Sequence, residues 1–291
     1  MSYPDLIKLT PLMEITSGRS DIVVGLIDGP VAIDHPAFAT SKIREVPGRA
    51  VVCAQVAGAA CQHGTFVAGI LAAQRNSYAP AICPDCTVLV RPIFEENAEK
   101  NGGMPSATPE DLAGAILDCI HAGARILNIS AAIVRPSLTS ECPLKDALDW
   151  AAKRGAIIVA AAGNQGAVGS TVITHHPWVI PVVAYDNQGR PMRQSNMSGS
   201  IGRRGLGAPG DRITSLGASG QPLTSGGTSA AAPFVTGALA LLWSQIPDVT
   251  AAAIKFAVTN AMSTRRNTVV PPLLDAWATY RLLLATNTRG K

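Results

Sequence analysis

At 291 residues the chain is long enough to bury a full core as one domain. Hydrophobic residues make up 47%, charged residues 15% and aromatics only 4%, so the core must be built from Ala, Val, Ile and Leu, which suits a parallel sheet covered by helices. The net charge of +4 comes without a Lys/Arg cluster interleaved with aromatics, and no apolar run approaches the roughly 18 to 20 residues that span a bilayer, so neither nucleic-acid binding nor membrane insertion is expected.

The opening stretch MSYPDLIKLTPLMEITSGRSD lacks a basic region followed by an apolar one, which argues against a secretory signal and makes cytoplasmic residence the expectation. In that compartment the six cysteines are expected as reduced thiols. Cys83 and Cys86 form a CxxC, but no second ligand pair accompanies it and the following TVLVRPI reads as a strand rather than a helix. Packing or a structural bridge is therefore expected ahead of metal or redox chemistry.

Strand-like and helix-like segments then alternate. Residues 21–27 (DIVVGLI) read as a buried strand, 63–75 as a helix and 87–93 as a second strand. Thr108, Pro109, Glu110 and Asp111 supply an N-cap, a proline at the first helical position and acids in the first turn, so a helix is predicted from there to Gly123. Strands are predicted at 125–130, 156–162 and 179–184, with a helix at about 143–154 between the first two. Ser229 to Gln245 is apolar nearly all round, as a helix buried through the middle of the molecule must be. Thr250 caps a further helix, and 273–285 make a last one. Residues 95–107, 163–175 and 187–227 read as loops. This βαβ alternation predicts an α/β fold with a mostly parallel central sheet, in a single domain over 1–291.

In such a sheet reactive groups collect at the carboxyl ends of strands. Asp28 ends the run VVGLI and precedes Gly29-Pro30; by itself it reads first as a turn residue and only second as a reactive group. His63 lies where QHG enters an apolar helical run, a position open to a general base or to a core histidine. Ser229 follows two glycines at a predicted helix start and is flanked by small residues, where a substrate backbone can approach and free amides favour developing negative charge. Asn164 follows AIIVAAAG at a strand end, where its amide could donate to an oxyanion or simply make a turn. His175-His176 has no further ligand grouped nearby and reads as loop rather than metal site.

Together VVGLIDG, HGTFVAGI, RILNIS, AAAGN and GTSAAAP resemble the subtilisin family of serine peptidases, and the match runs over nearly the whole chain in the family's Asp, His, Ser order. The resemblance implies a three-layer fold with helices on both sheet faces, an Asp28–His63–Ser229 triad, and Asn164 as the side-chain oxyanion donor. It also implies a pocket for the residue before the cut, lined by Ser130, Ala131 and Ala132 on one side and by Ala160 to Gly163, with Ala162 and Gly163, on the other. Many relatives carry Ser-Leu-Gly where this chain has Ser130-Ala131-Ala132, so Ala132 is expected to narrow that pocket.

IDGPVAIDHPAF and CPDCTVLVRPIF resemble, more narrowly, the proteases that mature ribosomal peptides of the cyanobactin type. A peptide or precursor peptide is then the expected partner, leader removal by hydrolysis the expected reaction, and ring closure or silent peptide binding the alternatives. Calcium stabilises many family members, but AAQRNSYAPAIC lacks the oxygen-rich turn of a tight site, so no metal or other cofactor is expected. The stretch before Asp28 is too short for a pro-segment, and folding without one is expected.

Overall fold

The structure is a computed structural model and describes residues 2–46, 53, 56–94, 107–130, 141–261 and 267–287. In chain order these form α1 (Tyr3–Leu6), α2 (Thr10–Ile15), β1 (Val23–Asp28), a 3₁₀ turn (Pro36–Phe38), β2 (Lys42–Glu45), α3 (Ala59–Ala72), β3 (Thr87–Pro92), α4 (Pro109–His121), β4 (Ile126–Ile129), α5 (Glu141–Arg154) and β5 (Ile157–Ala161). There follow α6 (Val172–His175), β6 (Val179–Tyr185), α7 (Gly199–Arg204), β7 (Leu206–Pro209), β8 (Ile213–Leu216), β9 (Pro222–Ser225), α8 (Thr228–Gln245), α9 (Ala251–Asn260) and α10 (Ala276–Asn287).

Seven strands pair in the order β2-β3-β1-β4-β5-β6-β7, every pair parallel, while β8 and β9 make a separate antiparallel hairpin. Successive side chains of a strand point to opposite faces, and both faces here are apolar. Val24, Leu26, Ile126 and Ile157 pack on one face with α3 and α8 residues such as Ile70 and Leu239. Their neighbours Ile27, Leu127 and Ile158 pack on the other face with Leu112 and Ile116 of α4 and Leu148 of α5. The three-layer α/β expectation is met. Helix α8 is buried from Ala230 to Ser244, the reason its sequence has no polar stripe.

Predicted strands 21–27, 87–93, 125–130, 156–162 and 179–184 all appear, shifted by a residue or two at their ends. Three differences stand out. Helix α3 begins at Ala59, not at 63, because Gly58 in extended conformation serves as its N-cap. The segment 187–227, read as loop, holds α7, β7, β8 and β9, elements too short to show a period. Cys53 and Cys61 form a disulfide, their Cα atoms 5.6 Å apart, which corrects the expectation that all thiols are reduced; the two residues meet where the chain turns into α3. Cys83 and Cys86 are free and buried in the core, as the packing reading requires. No helix among the described residues is long and apolar enough to cross a membrane.

Candidate active site

Asp28 ends β1, completely buried, with its carboxylate at the carboxyl edge of the sheet. Its Oδ1 accepts from the Gly29 N–H at 2.6 Å and lies 2.7 Å from His63 Nδ1. An ionised carboxylate can only accept, so Nδ1 carries the proton and Nε2 of the neutral imidazole is left with a lone pair, the form a general base needs. Close approach of α3 to the β1 end makes this contact. A Cβ at Gly29 would overlap the Ala60 carbonyl, and one at Gly64 would overlap the carbonyls of Gly29 and Pro30. Two glycines thus let the helix rest on the turn after Asp28 and bring His63 to it. A second tether is the Ala32 N–H, which donates to Thr65 Oγ1 at 2.9 Å. Burial alone would lower the His63 pKa; the charge of Asp28 and its hydrogen bond outweigh that and raise it above the ordinary value of 6.5.

Ser229 is the second residue of α8, half-buried, behind Gly227 at φ 103°. Among the described residues its Oγ has no hydrogen-bond partner, and no direct side-chain bond joins it to His63. Its backbone is held instead: the Ser130 hydroxyl donates to the Ser229 carbonyl at 3.4 Å. Ser130 follows β4, the neighbour of β1, with Ile27 paired to Ile129, so it sits beside Asp28 at the same sheet edge.

Asn164, three residues past the end of β5, faces solvent, and its Oδ1 accepts from the Thr228 N–H at 2.9 Å and the Thr228 hydroxyl at 3.1 Å. That fixes Oδ1 as the acceptor and leaves the Nδ2 hydrogens, on the Gly227 side, as donors that could serve an oxyanion. The Gly163 N–H donates to Thr228 Oγ1 at 3.1 Å, so one threonine ties the β5 end to the start of α8. Gly163 itself has φ 101°, and a Cβ there would meet Asn196. The methyl of Ala162 packs with Val183, Tyr185 and Ile201, so what this residue offers a substrate is its backbone. Ala131 and Ala132 lie outside the described residues.

The structure therefore brings Asp28 to His63, Ser130 to the Ser229 carbonyl, Asn164 to the Thr228 N–H and hydroxyl, and Gly163 to the Thr228 hydroxyl. Asn128 Nδ2 donates to Ser130 Oγ and the Thr236 hydroxyl to Asn128 Oδ1; these two residues and Thr228 were missed in the sequence. Asn128 had a signal, a polar residue inside the apolar strand RILNIS; Thr228 and Thr236 had none. Of the two histidines read as loop, His176 sits 3.1 Å from Asp149 Oδ1 through Nε2 and accepts from the Trp178 N–H. No group of three His, Cys, Asp or Glu side chains among the described residues could hold a metal ion.

Residues 19–275 match the model of the subtilase family, peptidase S8. The chain belongs to the subtilase family. Fervidolysin from Fervidobacterium pennivorans is 29% identical to this subtilase over 265 residues, covering 81% of this chain and 36% of its own length, so the chain spans about a third of that relative. Subtilisin DY of Bacillus licheniformis is 28% identical, with 81% of each chain covered. Among solved structures, the protease domain of PatA superposes with a TM-score of 0.84 at 30% identity, covering 92% of this subtilase and 97% of that chain. The prenylagaramide maturation protease PagA gives 0.82 at 28%, covering 94% and 98%.

Proposed function

We propose that this subtilase is a serine endopeptidase, acting through Asp28, His63 and Ser229, that cuts a leader or other segment from a ribosomal precursor peptide. The observation that carries the reading is the Asp28–His63 hydrogen bond, because it leaves Nε2 unprotonated at the sheet edge where Ser229 opens a buried helix. In this mechanism His63 takes the Ser229 hydroxyl proton as Oγ attacks the scissile carbonyl, and Asp28 stabilises the imidazolium. Asn164 Nδ2 and the Ser229 N–H receive the oxyanion; a donor of this kind is worth about 3 to 4 kcal/mol in the barrier. His63 then returns the proton to the leaving amine, and water, deprotonated by the same base, releases the acyl group. No cofactor enters these steps.

Substrate class follows from the relatives: PatA is named as a patellamide maturation protease and PagA as a prenylagaramide maturation protease. Hydrolysis is favoured over ring closure because a cyclising enzyme must keep water from the acyl-enzyme under a cover. Between β1 and α3 the described residues carry only a 3₁₀ turn and the short edge strand β2. A cavity of about 480 Å³ beside the start of α3, between the chain at 31–36 and the turn at 218–220, offers room for the departing segment. Since a ribosomal precursor is made in the cytoplasm, the same proposal places the enzyme there, acting as one peptidase domain.

The test is mass spectrometry of the precursor peptide encoded nearest this gene after incubation with purified protein. Two linear fragments whose masses sum to the precursor plus one water are expected, and none with Ser229→Ala, which removes one oxygen and leaves the fold intact. A cyclic product lacking that water overturns hydrolysis; full cleavage by folded Ser229→Ala overturns the nucleophile assignment.

A further inference from the structure

Helix α8 contains a proline at position 233, four residues after Ser229. An α-helix pairs each N–H with the carbonyl four residues earlier, and proline has no N–H. Pro233 therefore strips the Ser229 carbonyl of its intrahelical donor, in a stretch where both Ala230 and Ala231 are buried. A main-chain carbonyl that loses its helical donor at such a half-buried position gains from another partner.

The structure supplies it through a directed chain. The Thr236 hydroxyl, wholly buried, donates to Asn128 Oδ1 at 2.8 Å; Asn128 Nδ2, equally buried, donates to Ser130 Oγ at 2.8 Å; and the Ser130 hydroxyl donates to the Ser229 carbonyl at 3.4 Å. Because Asn128 uses its N–H on Ser130 Oγ, the Ser130 proton is free for the last link. Each donor polarises the next, and the chain ends on the backbone of the nucleophile. The last link, at 3.4 Å, is the longest of the three.

We infer that Ser130, set by Asn128 and Thr236, is a positioning residue that replaces the N–H missing at Pro233 and so fixes the backbone of Ser229. Its hydroxyl thus has a task in α8 apart from any contact with substrate. This rests on the nucleophile assignment above, and the experiment separates the two.

The experiment measures the rate at which a fluorophosphonate reagent labels Ser229, with the melting temperature of each variant recorded alongside. Ser130→Ala is expected to slow labelling about tenfold through displacement of the nucleophile. Adding Pro233→Ala restores an N–H four residues after Ser229, so the double variant Ser130→Ala/Pro233→Ala is expected to recover most of the rate. Thr236→Val, which deletes only the first donor, is expected to give an intermediate loss. A residue that merely lines the substrate pocket would not be rescued from within the helix. An unchanged rate in Ser130→Ala, or a double variant as slow as the single one at equal melting temperature, overturns the inference alone. Wild-type protein that the reagent does not label at Ser229 overturns the nucleophile assignment and the inference with it.

Discussion

His63 sits under two opposed forces. Burial disfavours its imidazolium, while the carboxylate of Asp28 favours it, and the second prevails. A general base must be unprotonated, so kcat/KM for peptide cleavage is expected to rise with pH through a midpoint above the ordinary histidine value of about 6.5. The same raised pKa adds to fold stability in full below about pH 6.5 and is lost as pH rises through the folded value. Asp28→Asn removes the charge and can turn an amide N–H towards Nδ1, which selects the wrong tautomer. A pH profile of that variant should show turnover down by about 10⁴-fold and a midpoint shifted downward. In the proposed mechanism Asn164 meets only the charge that develops during attack. Asn164→Ala should lower kcat by about 10²- to 10³-fold with KM little changed. Weakened KM at constant kcat would show that the amide holds the ground state instead.

Helix α3 carries His63, and its placement depends on what its other residues lack. Gly64 lies against the carbonyls of Gly29 and Pro30, where any Cβ meets backbone rather than a side chain that could swing away. Gly64→Ala is therefore expected to push α3 off the Asp28 turn, with loss of peptide cleavage and a destabilisation of about 1 to 3 kcal/mol by urea unfolding. Gly114→Ala, on α4 with nothing within 4 Å of the new Cβ, serves as the control and should gain a few tenths to about 1 kcal/mol. The glycines after Asp28 and His63 were visible in IDGP and HGTF, but that each is a contact surface for the other's element was not. Strand β4 shows the reverse case. The run RILNIS announced a buried strand, and the one polar residue within β4 itself, Asn128, marked a network that reaches Ser130 just after the strand and Thr236 in α8. Strands β7, β8 and β9 were not read because four residues show too little alternation to distinguish strand from loop.

The sheet is buried on both faces, so the molecule's stability rests on two helical layers rather than on one. Leu239 in α8 is wholly buried, whereas Phe256 in α9 is 66% exposed. Leu239→Ala is expected to cost about 2 to 5 kcal/mol in denaturant unfolding, and Phe256→Ala less than about 0.5 kcal/mol. Equal costs would mean that α8 is not the central buried helix.

Much of this architecture was legible in the chain itself, because burial on two faces forces continuous apolar strands and a helix buried all round must be apolar all round. Those are local patterns, set by the period of each element and readable without its neighbours. The order β2-β3-β1-β4-β5 was not legible, since it depends on which crossovers bury the most surface together. Nor were the disulfide from Cys53 to Cys61 or the answer of Ser130 to the carbonyl that Pro233 leaves open. The sequence supplied Asp28, His63, Asn164 and Ser229 with the right chemistry at strand ends and helix starts. The pairing of Asp28 with His63, and of Asn164 with the Thr228 turn, was decided by the tertiary structure, because contacts between residues far apart in the chain form only when the whole core is packed.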